Sequence, residues 1–182
     1  MTDRTDRVAQ FQAAWARERP DLDVSPLGVI GRLHRLGARL TDELVAVYRE
    51  FGLNEGEFDV LASLRRAGAP FERAPGELAE HTMVTTGAMT KRVDRLVAMG
   101  LVTRRQSDVD GRGRVVGLTA AGRDLIDRAF TAHMANEHRL VELLAPDQRA
   151  RLEEILTTWQ QSLESDAPGR RPEIPEARAS AR

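Results

Sequence analysis

The chain has no cysteine. That excludes thiol nucleophiles, disulfides, cysteine-bound zinc and thiol redox sensing together. Aromatic residues make up only 4%, so the core must be mostly aliphatic. Lysine is nearly missing as well: of 27 basic residues only Lys91 is a lysine. A GC-rich coding sequence accounts for that bias, and arginine excess alone predicts no function. No apolar run approaches the roughly 20 residues of a membrane span. The first residues, Met1-Thr-Asp-Arg-Thr-Asp-Arg7, lack the apolar core of a secretion signal. The expected location is therefore the cytoplasm, with no membrane partner. Excess charge of one sign is missing too: 27 basic against 28 acidic residues leave −1. Such a chain does not coat nucleic acid along its whole length. His34, His81, His133 and His138 show no metal-ligand spacing. There is no nucleophile elbow, dinucleotide loop or catalytic pair of acids, and Gly111-Arg-Gly-Arg114 reads as turn chemistry rather than a phosphate loop. The expectation is no enzyme, no cofactor and no metal.

What is present is helical periodicity. A length of 182 residues suits one domain or one compact protomer. Val8, Phe11 and Trp15 form one stripe on a short helix within residues 3–19, and Pro20 to Pro26 reads as a loop. Residues 27–51 repeat apolar side chains every three or four positions, from Ile30 to Phe51, which predicts a long amphipathic helix stopped by Gly52. Further helices are expected at 55–67, 75–82, 85–99, 120–143 and from Pro146 onward. Between 101 and 118 the pattern alternates loosely around a turn-rich centre, which predicts a β-hairpin. The fold class is mainly α (α+β). Residues 1–24 read as an extra N-terminal helix and linker, and 25–54 with 120–164 as a helical dimerisation region. Residues 55–119 read as a winged helix-turn-helix lobe with a two-stranded wing. Residues 165–182, with three prolines and almost no apolar side chains, read as a disordered tail.

Helix, short turn, helix, hairpin is the order in which a second helix enters a DNA major groove and a wing reaches the backbone or minor groove. On residues 85–99, Met89, Val93, Leu96 and Val97 form the inward stripe. Thr86, Thr90, Lys91, Asp94 and Arg95 face away, and short polar and basic side chains suit base edges and phosphates. Charge is concentrated there: residues 85–116 hold seven basic and three acidic side chains, a net +4, which leaves −5 elsewhere. A solvated basic face alone would say little. Joined to the element order, it points to DNA.

Four segments carry a family resemblance. They are Pro75-Gly-Glu-Leu-Ala-Glu80, Thr86-Gly-Ala-Met-Thr-Lys-Arg-Val-Asp-Arg-Leu96, Gly100-Leu-Val-Thr-Arg104, and Asp110-Gly-Arg-Gly-Arg-Val-Val-Gly-Leu-Thr-Ala-Ala-Gly122. Together they resemble the MarR family of transcription regulators over roughly residues 27–163. The resemblance implies that Asp110 orients Arg112 at the wing tip for insertion into the minor groove, where a narrow groove attracts arginine. It implies DNA contacts from Thr85, Thr86, Thr90, Lys91, Arg95 and Arg114. Gly111 stands where the family usually has a second basic residue, so one phosphate contact is missing. The extra N-terminal helix, with Trp15, Asp59, Arg92 and Arg104, looks like the urate-responsive, PecS-type branch, in which these four positions bind the ligand and set the switch.

The residues themselves favour part of that reading. Arg92 borders the apolar stripe, so its guanidinium needs a carboxylate partner, and Asp59 interrupts an apolar run. An Asp59–Arg92 pair would tie two helices, and an anion on Arg104 would compete for it. The same pair could equally be fold-specifying only, and Trp15 alone reads as core filler. The apolar stripes of 27–51 and 120–163 exceed what the small lobe covers, which implies a homodimer on a palindromic operator. The expected function is a ligand-responsive regulator, a repressor released by urate, xanthine or a tricarboxylate. The alternatives are a related regulator with another ligand or none, a non-specific architectural DNA binder, or an enzyme.

Overall fold

A computed structural model describes residues 6–82, 86–106 and 114–165. The expected tight connection at 82–84, the turn of the hairpin and the tail fall largely or wholly outside these residues. The elements are α1 (Arg7–Glu18), α2 (Leu27–Glu50), α3 (Glu55–Arg66), β1 (Glu72–Arg73), α4 (Pro75–His81), α5 (Thr86–Ala98), β2 (Val102–Gln106), β3 (Arg114–Leu118), α6 (Ala120–Val141) and α7 (Pro146–Ser165). Two compact units, Met1–Glu137 and His138–Arg182, divide the chain within α6.

Asp6 starts α1 by accepting from the Val8 and Ala9 N–H groups at 3.0 and 3.3 Å, the usual way a short acidic side chain satisfies free donors at a helix start. Asp6 also pairs with Arg32 of α2. Gln12 donates to the carbonyls of Val24 and Ser25 at 3.2 Å each. Of the α1 stripe only Val8 is buried; Phe11 and Trp15 remain 58% and 53% exposed. Trp15 is therefore not core filler within this chain.

The main core lies between α3, α4, α5, the sheet and α6. Leu61, Leu64, Leu78, Met89, Leu96, Val116 and Ile126 fill it. The sheet has three antiparallel strands in the order β1-β3-β2, with Val102 opposite Leu118 and Gln106 opposite Arg114. The expected two-stranded wing thus gains a third strand, because β1 is only two residues long and too short to show alternation in sequence. At the foot of the hairpin the Thr119 hydroxyl donates to Gly100 and accepts from the Gly122 N–H at 2.9 Å. A methyl on Gly122 would collide with the Leu101 carbonyl, so this crossing of helix and strand requires glycine. The Leu-Thr-x-x-Gly pattern is therefore a cap plus a close approach.

In the second unit no described residue is buried. Val141, Leu143, Leu152, Ile155, Leu156 and Leu163 are all exposed. No helix among the described residues is long and apolar enough to cross a membrane.

Candidate functional site

Helix α5 is fixed by its inward face. Met89, Val93 and Leu96 are buried at 1%, 2% and 0% exposure, whereas Val97, expected in the same stripe, is 40% exposed. With a turn every 3.6 residues, Leu96 takes the centre of the stripe and Val97 rotates past its edge. Gly100 ends the helix at φ 72°. Thr90, Lys91, Asp94 and Arg95 face outward, and Thr86 opens the helix. Arg114 is exposed on β3 opposite Gln106. Thr85, Asp110 and Arg112 lie outside the described residues.

Two ion pairs set the base of the hairpin. Arg104 of β2 pairs with Asp94 of α5 and donates to the Thr90 carbonyl at 3.2 Å. The residue expected on a ligand is thus engaged with α5. Arg105 forms a bidentate pair with Glu72 of β1, at 3.0 and 2.6 Å. That fork spans the sheet and gives the short strand β1 a function beyond its two backbone pairings.

Asp59 and Arg92 are brought near each other, but the expected ion pair does not close: among the described residues no bond within 4 Å joins them. The Arg92 guanidinium instead lies over the backbone of Gly56, where an added methyl would overlap it. Its Nη1 is buried without a hydrogen-bond partner. Burial raises the Asp59 carboxyl above its ordinary value, Glu55 adds to the rise, and Arg92, Arg66 and His133 oppose it. Beside it, Tyr48 stacks on Phe58 with ring centroids 4.0 Å apart, and its hydroxyl lies 3.3 Å from Nδ1 of His133. Burial, then the charge of Asp59, pushes the Tyr48 phenol up to about 12. Trp15 is placed elsewhere in the unit. It lines a hollow of about 580 Å³ with Leu22, Val24, Pro26, Leu27 and Ile30, and none of Asp59, Arg92 or Arg104 lines that hollow. A second hollow, of about 440 Å³, lies between α3 and α6, lined by Ala62, Arg65, Arg66, Ile126, Phe130 and Thr131.

One acidic residue escaped the reading of the sequence. Glu57 is 1% exposed and closes a capping box with Asn54, each side chain accepting from the other's N–H at 3.0 Å. Its other oxygen receives Nε of Arg95 at 2.8 Å. The Asn-x-x-Glu spacing announces the cap; nothing local announces the arginine. The first turn of α3 therefore seats two arginines of α5, Arg92 on Gly56 and Arg95 on Glu57.

The model of the MarR family matches residues 51–113. The HTH-type transcriptional regulator PecS of Dickeya dadantii is 34% identical over 82% of this chain and 90% of its own length. The chain belongs to the MarR family. Its relatives are named transcriptional regulators and repressors, not enzymes. The HTH-type transcriptional repressor Rv2887 of Mycobacterium tuberculosis is 38% identical over 70% of this chain and 88% of its own. The crystal structure of that MarR family protein with salicylic acid superposes at TM-score 0.57 and 33% identity, covering 75% of this chain and 98% of the other. A mutant MarR of Escherichia coli complexed with operator DNA superposes at TM-score 0.63 and 29% identity, covering 74% and 94%.

Proposed function

We propose that this MarR-family chain is a repressor that binds a palindromic operator as a homodimer and releases it when a small anion binds. The observation that carries the DNA reading is the outward face of α5. Thr90, Lys91 and Arg95 are exposed on a helix fixed from behind by a closed core and from the side by Arg104 and Glu57. Arg114 would add a backbone contact from the wing, with Thr85, Thr86, Asp110 and Arg112 completing the set by resemblance. The exposed apolar residues of α2 and α7 support the dimer, since a monomer would leave them in water.

The anion reading is supported by Arg92. A buried guanidinium nitrogen without a partner is costly, and an anion reaching it from the side of Asp59 would satisfy it. Such a ligand would also repel Asp59 and disturb the seat of α5, which loosens the reading helix. Asp59 and Arg92 are the centre of the proposed ligand set; Trp15, which lines a separate hollow, and Arg104, which is engaged with α5, join it by resemblance alone, with urate or xanthine as the first class and a tricarboxylate next. Rv2887 was crystallised with salicylic acid, which favours an aromatic carboxylate as the second reading. Gel shifts on the promoter of the protein's own gene, with urate, citrate and salicylate added in turn, test this. Release by one of the three, abolished in Arg92→Ala, is expected. A complex that survives all three would sink the anion switch, and no retarded complex at any salt concentration would sink the DNA reading.

A further inference from the structure

Arg95 looks, from its place on α5, like one more basic side chain offered to DNA. Its surroundings are unusual for that role. Its Nε is held at 2.8 Å by a carboxylate that is 1% exposed, while the arginine side chain itself stays 60% exposed. One nitrogen of the guanidinium is thus ion-paired on the protein side, and most of the side chain is open to solvent. The carboxylate is itself held: Glu57 Oε2 accepts the Asn54 N–H, and Asn54 Oδ1 accepts the Glu57 N–H, both at 3.0 Å. Both oxygens of the carboxylate are therefore committed, one to the start of α3 and one to α5. The positive end of α3 also favours a negative charge there. An arginine ion-paired at Nε has fewer poses to lose on meeting a base or phosphate, and its two terminal nitrogens are left for that partner.

We propose that Glu57 is a positioning residue for operator recognition. It fixes the pose of Arg95, so that discrimination between operator and other DNA depends on the first turn of α3, while general attraction to DNA does not. The proposal rests on α5 being the DNA-facing helix. General attraction comes from charge, and removing Glu57 leaves every cation of α5 in place. Discrimination needs a defined direction for the fork, and that direction is what Glu57 supplies.

The test uses the full chain, a palindromic duplex selected from a random library by the wild-type protein, and a random duplex of equal length. The variants are Glu57→Gln, Arg95→Gln, Arg95→Lys and the double variant Glu57→Gln/Arg95→Gln. Glu57→Gln is expected to lose about 10- to 100-fold in affinity for the palindrome. Its affinity for random duplex and its salt slope should stay as in the wild type, because no phosphate-facing cation is removed. Arg95→Gln should lose as much on the palindrome, and adding Glu57→Gln should lose nothing more. Should Glu57→Gln unfold the chain, Arg95→Lys gives the answer. It keeps the positive charge beside Glu57 but has no fork, and the same selective loss is expected. Equal losses on both duplexes, multiplying losses in the double variant, or wild-type discrimination in Arg95→Lys would each overturn the role of Glu57. A wild-type protein that binds no duplex at any salt concentration would overturn the DNA-binding reading instead, and this one with it.

Discussion

Around α3 and α5, leucines at helical spacing close on one another: Leu61, Leu64 and Leu96 are fully buried. On α7 the same residue types at the same spacing stay open, with Leu152, Ile155, Leu156 and Leu163 between 38% and 64% exposed. Periodicity alone does not distinguish the two. What differs is the supply of neighbouring surface. In the first unit four helices and a sheet meet α3 from several sides, whereas no residue of α7 is buried. Around α3 and α5 the first unit closes on itself, although α1 and α2 leave Phe11, Trp15, Val29 and Leu36 exposed. The second is complete only with something laid against it, and a second copy of the chain is the occupant proposed above.

The sharpest way to break this comparison is to open the closed half. Leu96→Ala removes a fully buried side chain from the inner face of α5 and should cost about 2–5 kcal/mol through lost burial and the cavity left behind. In urea melts that loss should be the same at every protein concentration, since the core it damages lies within one chain. A loss that shrinks as protein is concentrated would mean that the core of the first unit is shared with a partner.

The open half should behave in the opposite way. Ile155→Glu places a charge on a half-exposed position of α7 and should hardly disturb the isolated fold. Light scattering should show the dimer giving way to monomer, and operator affinity should fall about 100-fold, because two linked reading heads lose their joint hold. A variant that stays dimeric would place the interface elsewhere on the chain.

The two halves also differ in how far they could be read from sequence. The helices, the hairpin and the Thr119–Gly122 corner were legible because each is a local pattern: a periodicity, a turn, a cap. The strand β1 was not, since two residues carry no alternation, and pairing with β3 alone defines it. Among the site residues, the expected Asp59–Arg92 ion pair does not form: the Arg92 guanidinium lies on Gly56, and Asp59 feels it only as one nearby charge. A missing side chain leaves no mark in a search for partners. The ion pair of Glu57 with Arg95 was hidden for another reason: it crosses from α3 to α5, and only the packing of the two helices brings the residues into register.

The smallest expected effect concerns a half-buried carboxylate in the closed half. Burial and Glu55 raise the Asp59 carboxyl above 3.8 despite Arg92, Arg66 and His133. The folded chain therefore holds that proton more tightly than the unfolded chain. The stabilisation this gives is fully present below the unfolded value and is lost as pH rises through the folded one. At neutral pH the ionised Asp59 is thus a cost to the fold. Asp59→Asn removes the titration and should raise the melting temperature at pH 7 by roughly 1–3 °C. The gain should shrink as pH falls and vanish below about pH 3, where the native residue is protonated in both states. Should the variant melt lower than the wild type at pH 7, with the gap closing in acid, Asp59 would be a stabilising charge with a close partner in solution, and the open Asp59–Arg92 arrangement would be wrong. The expected sign leaves a different account of the residue. A carboxylate that weakens its own fold at neutral pH gains nothing there as structure, and that outcome would favour the ligand role proposed for Asp59 and Arg92.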